Sequence, residues 1–128
     1  AIADYTIAIE INPNYEKAYF NRGLAKRKIN DYYGAIADYK KAIVINPQYA
    51  AAYNNIAFIK RKKEINDNYG SIFYATKAIE IDPNHSNAYL NRGVAKQNLG
   101  DMNGACDDWR KASSLGNEYT RNWVRDEC

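Results

Sequence analysis

The chain is poor in the residues from which active sites and metal sites are built. His85 is the only histidine, and it sits in the connection Asp82-Pro83-Asn84-His85, where it reads as a turn residue. Cys106 and Cys128 have no metal-ligand spacing, which leaves two free thiols as the expectation. No Ser/His/Asp set, phosphate-cradling glycine loop or matched acid and base is present, and adjacent Asp107 and Asp108 point in different directions on a helix. No catalytic residue, metal or cofactor is therefore expected. No segment approaches the roughly 18 apolar residues of a membrane span. The excess of positive charge, 18 Lys and Arg against 15 Asp and Glu, is too small to argue for nucleic acid on its own. Proline is scarce too, with three in 128 residues.

Those three prolines are what organises the chain. Pro13, Pro47 and Pro83 each end the phrase Ile-Asn-Pro or Ile-Asp-Pro, at intervals of 34 and 36 residues. Two of the phrases follow Lys-Ala-Ile (Lys41-Ala42-Ile43, Lys77-Ala78-Ile79), and the first follows the related Thr6-Ile7-Ala8-Ile9. Each precedes an Ala-Tyr pair: Ala18-Tyr19, Ala52-Tyr53, Ala88-Tyr89. Self-similarity at this period signals a stack of repeats rather than one ordinary globular core. Apolar residues make up 46% of the chain, enough for a continuous core between helices, and tyrosine supplies twelve of the aromatic residues.

Within a unit the spacing predicts helix, turn, helix. Tyr19, Arg22, Gly23 and Lys26 form one stripe from Glu16 to about Ile29. After Asn30-Asp31 a second helix is expected from about Tyr32 to Ile45, with Ala35, Ile36, Tyr39, Ala42 and Ile43 inward, until Asn46-Pro47 ends it. The next unit repeats this with Tyr53, Ile56, Ala57 and Lys60, then Ser71, Ile72, Ala75, Ala78 and Ile79. The last gives Tyr89, Arg92, Gly93 and Lys96, then Ala105, Trp109 and Ala112, closing on Leu115-Gly116.

The pattern Tyr19-x2-Arg22-Gly23-x2-Lys26…Ala35-x3-Tyr39…Pro47, and again Tyr89-x2-Arg92-Gly93-x2-Lys96…Ala105-x3-Trp109, resembles the tetratricopeptide repeat (TPR). The resemblance covers nearly the whole chain. It implies an all-α, right-handed superhelical solenoid of antiparallel helix pairs. The expected divisions are 1–15, the second helix of an incomplete repeat; 16–49, one repeat; 50–85, a repeat with two extra residues near Lys62-Lys63; 86–116, a third; and 117–128, a capping helix. In the last of these, Tyr119, Trp123 and Val124 are expected on one face.

Arg and Lys stand where the family pattern has Leu and Tyr. Arg22 comes with Asp38 and Arg92 with Asp108, at the same separation, and where Ile56 replaces Arg, Tyr74 replaces Asp. Charge is lost from both places together, as expected for interhelix ion pairs, because one charge buried without the other would be costly. Gly23, Ala57 and Gly93 are expected to let the two helices of a unit approach, facing Ala35, Ser71 and Ala105.

In such a superhelix the first helices line the concave face. The resemblance therefore places the stripes Lys17, Phe20, Asn21, Leu24, Lys28; Ala51, Asn54, Asn55, Phe58, Lys62; and Asn87, Leu90, Asn91, Val94, Asn98 side by side as a groove. It implies peptide contact by Lys17, Phe20, Asn21, Leu24, Asn54, Asn55, Phe58, Lys62, Leu90, Asn91 and Val94. Asn21, Asn55 and Asn91 recur at one position, and an amide brackets a peptide unit with both donor and acceptor. This is similar to the asparagine ladder of a protein O-linked sugar transferase. The carboxylate clamp for chaperone tails is expected to be absent, because its places hold Phe20, Leu24, Asn55, Asn87 and Asn91, with Asn55 alone in agreement.

Two basic runs, Lys26-Arg27-Lys28 and Lys60-Arg61-Lys62-Lys63, end first helices, where cations complement the macrodipole. The second coincides with the insertion, and a protruding basic lip there would favour acidic partners. Aromatic interleaving suited to nucleic-acid stacking is sparse beside it, so nucleic acid is disfavoured. The resulting expectation is a non-enzymatic protein-interaction scaffold binding an extended peptide. The alternatives are the targeting arm of a larger enzyme, or a self-assembling structural element. Ala1 to Ile11 matches only a second helix, and its apolar face predicts a fragment of a longer array whose first helix packs against another molecule, a second copy included, or frays.

Overall fold

The computed structural model describes residues 1–128 and is entirely helical. Its eight helices are α1 (Ile2–Ile11), α2 (Glu16–Lys28), α3 (Tyr32–Ile45), α4 (Ala50–Lys60), α5 (Asn68–Ile81), α6 (Ser86–Asn98), α7 (Met102–Ser114) and α8 (Glu118–Glu127). They form two compact units, Ala1–Ala52 and Tyr53–Cys128. No helix is long and apolar enough to cross a membrane.

The recurring phrases are helix punctuation. In Ile-Asn/Asp-Pro, the backbone N–H of Asn12, Asn46 and Asp82 closes the last turn on Ala8, Ala42 and Ala78. The Oδ1 of the same residues accepts from the N–H two positions on, at Asn14, Gln48 and Asn84 (3.2, 3.2 and 3.1 Å). Such turns compete with continued helix, and the intervening proline removes the donor that continuation needs. Between the helices of a pair, Asn30, Asn66 and Gly100 adopt positive φ. Asp31, Asp67 and Asp101 then cap the next helix by accepting from the N–H of Gly34, Gly70 and Gly104 at 2.9–3.0 Å. A Cβ at any of these three glycines would run into the capping carboxylate.

In the first unit α2 and α3 meet around Tyr39, which is fully buried. Gly23 has room only for hydrogen there, since a Cβ would lie 2.7 Å from the Tyr39 ring. It is thus the ring, more than Ala35, that demands the small residue. Phe20 extends the cluster, 5.6 Å from Tyr39 and stacked on Tyr49 at 4.9 Å. Helix α1 buries none of its residues and exposes Ile7 and Ile11.

In the second unit the Ser71 hydroxyl donates to the Ala57 carbonyl at 2.8 Å, so α4 and α5 touch backbone to side chain. Gly93 abuts the Trp109 indole and the Ala105 carbonyl in the same way that Gly23 abuts Tyr39. Helix α8 then lies on α7. Trp123 meets Trp109 edge to face at 5.2 Å, and Asn117 caps α8 by accepting from the Thr120 N–H. Gly116 takes φ 98 and stops α7 in the left-handed region.

Two expectations fail at this end. Tyr119 points outward at 71% exposure, and fully buried Thr120 takes the inward place, because the stripe facing α7 runs through 120, 123 and 124. Cys106 and Cys128 are not free thiols but a disulfide. The return of α8 along α7 brings the last residue of the chain onto the first half of α7, which sequence separation alone conceals.

The ion pairs form as the paired substitutions indicated. Arg22 Nη2 and Nε donate to both oxygens of Asp38 (2.7 and 2.9 Å), and Arg92 does the same to Asp108 (2.7 and 2.9 Å). Lys26 and Lys96 add a second cation to each buried carboxylate. Hydrogen bonding to Asp38 holds the Arg22 guanidinium above its ordinary pKa. Where Ile56 and Tyr74 replace the pair, Lys60 turns to Asp67 instead, at 2.9 Å.

Candidate functional site

The first unit places part of the first-helix stripe beside α1. Asn21, Leu24 and Lys28 of α2 line a cleft of about 580 Å³ with Ile2 and Tyr5 of α1. Lys17 is exposed, whereas Phe20 is committed to Tyr39 and Tyr49.

In the second unit the stripe is built from α4 and α6, and the structure rearranges the expected roles. Leu90 and Asn91 are buried, at 9% and 4% exposure, so neither stands at the surface. Asn91 Nδ2 donates to Asn54 Oδ1 (2.8 Å), while Asn91 Oδ1 accepts from Arg61 Nε (2.9 Å). The expectation that the Asn91 amide faces a ligand is therefore corrected. Arg61 comes close enough to occupy that amide, and Asn54 is spent holding it. The other expected residues stay near solvent. Asn55, Phe58, Lys62 and Val94 are all partly exposed.

Two clefts open on this surface. One, of about 570 Å³, is lined by Arg61, Lys62, Lys63, Glu64, Asn66, Val94 and Asn98. The other, of about 320 Å³, is lined by Arg61, Val94, Gln97, Trp109, Trp123 and Glu127. Arg61 and Val94 belong to both, so the clefts are neighbours on one furrow running from the α4–α5 turn towards α8. The Phe58 ring has the Arg61 guanidinium 4.9 Å and the Lys62 ammonium 5.0 Å from its centroid.

Arg61 is the residue the stripe pattern missed. The basic run was legible as a lip, but α4 ends at Lys60 and the chain turns there. Asn98 Nδ2 reaches the Arg61 carbonyl at 3.4 Å and Asn68 Oδ1 at 3.0 Å, which ties that turn to α6 and α5. Arg61 consequently folds inward rather than protruding. Burial alone pulls its guanidinium below the ordinary arginine value. No group of three or more metal-ligating side chains gathers anywhere in the chain.

Family models described as Tetratricopeptide repeat match residues 16–49 and 74–107. No curated protein matches the chain by sequence. Among solved structures, the crystal structure of MamA aligns with a TM-score of 0.83 at 22% identity, covering 90% of this chain and 66% of that one. The chain therefore spans just under two thirds of MamA. The Arabidopsis OM64 TPR domain aligns with a TM-score of 0.80 at 28% identity, covering 86% of this chain and 91% of that one. The first TPR of Spaghetti (RPAP3), bound to the HSP90 peptide SRMEEVD, aligns with a TM-score of 0.80 at 20% identity, covering 86% and 87%.

Proposed function

Because the chain belongs to the tetratricopeptide repeat family, whose members are typically non-enzymatic interaction modules, we propose that it is a scaffold that holds an extended partner segment in the furrow between α4, α6 and α8. The observation that carries this is the pair of adjoining clefts sharing Arg61 and Val94. Together they offer apolar wall (Val94, Trp123) next to amide and cationic groups (Asn98, Lys62, Arg61). A peptide segment has the same mixture, and a few convergent polar groups in an apolar cleft fix its orientation. The RPAP3 neighbour binds a peptide on the same fold, which supports a peptide rather than a small molecule as occupant. In the first unit, Lys17, Asn21 and Leu24 make a second contact surface of the same kind.

Selection of a random dodecapeptide library on the immobilised chain tests the reading. Selected peptides should bind by calorimetry, and Val94→Glu should weaken them at least tenfold, about 1.4 kcal/mol or more. Ile7→Glu, on the exposed side of α1, should leave them unchanged. Recovery of no peptide, or equal binding to the Val94→Glu variant, would overturn the proposal.

A further inference from the structure

Arg22, Arg61 and Arg92 are all partly buried between helices, and they are treated differently. Arg22 and Arg92 each meet an aspartate through two hydrogen bonds. Arg61 meets none. Its Nε is bound by the neutral amide of Asn91, and its side chain makes no ion pair. The two Nη groups make no hydrogen bond within the protein. Glu64 and Glu127 line the clefts beside it, yet neither forms an ion pair with it.

The side chain is also positioned. Asn54 holds the Asn91 amide, Asn91 holds Nε, and the guanidinium carbon lies over the Phe58 ring, 4.9 Å from its centroid. Fixing Nε restrains the guanidinium and leaves its terminal Nη1–Nη2 edge without a partner in the protein. A planar fork with free N–H groups matches a carboxylate in geometry and charge. Lys62 and Lys63 on the same cleft add positive potential, and Val94 and Trp123 supply apolar wall next to it.

From this geometry we infer that Arg61, held by Asn91 and Asn54 at the junction of the two clefts, is an anion-binding point that receives the side-chain carboxylate of an acidic residue, with a neighbouring apolar residue of the same segment against Val94 and Trp123. The inference rests on the proposed furrow and names the chemistry of its occupant. A guanidinium removed from water without a counter-ion is costly, and an incoming carboxylate offsets that cost where an amide does not. A monoanion fits better than a phosphate dianion, because Glu64 and Glu127 flank the point on either side. The place also differs from the carboxylate clamp, since Arg61 lies beyond Asn55 at the end of α4. Asn91 acts as a positioning residue.

The test uses three capped octapeptides in which leucine alternates with glutamate, glutamine or phosphoserine. Each is titrated into the nitrogen-15-labelled full chain while the arginine Nε–H signals are followed. The glutamate peptide should move the Arg61 signal saturably, leave those of Arg22 and Arg92 in place, and bind at least tenfold more tightly than the glutamine peptide. Arg61→Gln should erase that preference, because a glutamine amide carries no charge to pair with the carboxylate. The titration of the unmodified chain stands even if the variant misfolds. Equal affinity for the glutamate and glutamine peptides would overturn the inference and leave the furrow standing. Tighter binding of the phosphoserine peptide would reassign the point to phosphate. Absence of any shift on α4 and α6 would overturn both readings.

Discussion

Tyr39 is fully buried, and its hydroxyl has no hydrogen-bond partner. An unsatisfied buried polar group costs about 1–3 kcal/mol, so the ring earns its place by filling the space that Gly23 leaves. Burial pushes the Tyr39 pKa up from 10.0 to about 12, with Asp38 adding to the rise and Arg27 opposing it. The folded state thus favours the neutral phenol. Stability from this group is complete below about pH 10 and is lost as pH rises towards 12, because the folded chain then holds a proton that the unfolded chain has released. Tyr39→Phe keeps the ring and removes the hydroxyl. We expect it to raise stability by about 1 kcal/mol at neutral pH. Its advantage should grow by about 1.4 kcal/mol per pH unit between 10 and 12. Chemical denaturation of both proteins at pH 7, 10 and 11 measures this; an advantage that stays flat with pH would refute it. Single residues were legible when they came in pairs. Arg22 with Asp38, Arg92 with Asp108, and the joint change to Ile56 and Tyr74 named the ion pairs in advance. Arg61 had no such companion, because its partner Asn91 is thirty residues away and neutral.

Helices were readable wherever a local rule sets their ends. Asx turns before Pro13, Pro47 and Pro83, and Asp caps before Gly34, Gly70 and Gly104, act within four residues, so short-range pattern contains them. Helix α8 was readable as an element but not in its rotation or its covalent tie, since both depend on how it lies against α7. The disulfide closes a loop of 22 residues, and cross-links of this length restrain the unfolded chain by about 2–4 kcal/mol. Cys128→Ser should therefore destabilise the chain by about that amount. Dithiothreitol should lower the Tm of the parent to the same value and leave the Tm of the variant unchanged. A parent indifferent to the reductant would remove the cross-link from the stability account. Packing of Trp123 on Trp109 and burial of Thr120 remain after reduction, so α8 should stay helical by circular dichroism.

Across the whole molecule, the repeat period identified the architecture because every repeat solves the same local packing problem. The period carries no such information about the ligand, because the exposed stripes are under no common packing demand. Lys17, Asn21, Asn55, Phe58, Lys62 and Val94 stand near solvent as the stripe pattern implies, while Leu90 and Asn91 on the same pattern are buried. Neighbouring side chains decide which of the two happens, and position in the repeat does not. The same unevenness sets an order of local stability. Helix α1 buries no residue, whereas α6 buries Ala88, Tyr89, Leu90, Asn91, Gly93 and Ala95, and α7 buries Ala105, Cys106, Asp108, Trp109 and Ala112. Local opening requires little free energy where little apolar surface is buried, and approaches the global value in a core. Amide hydrogen exchange of the native chain should accordingly be fastest in Ile2–Ile11 and slowest in the middle of α6 and α7. Helix α1 retains one tether that exchange can resolve: Arg22 Nη1 donates to Thr6 Oγ1 at 3.2 Å. Thr6→Val removes that acceptor at similar volume and should speed exchange in α1 while leaving α6 and α7 unchanged. Protection of α1 equal to that of α6 in the parent chain would refute the order, and would mean that contacts outside this helix pair hold its apolar face.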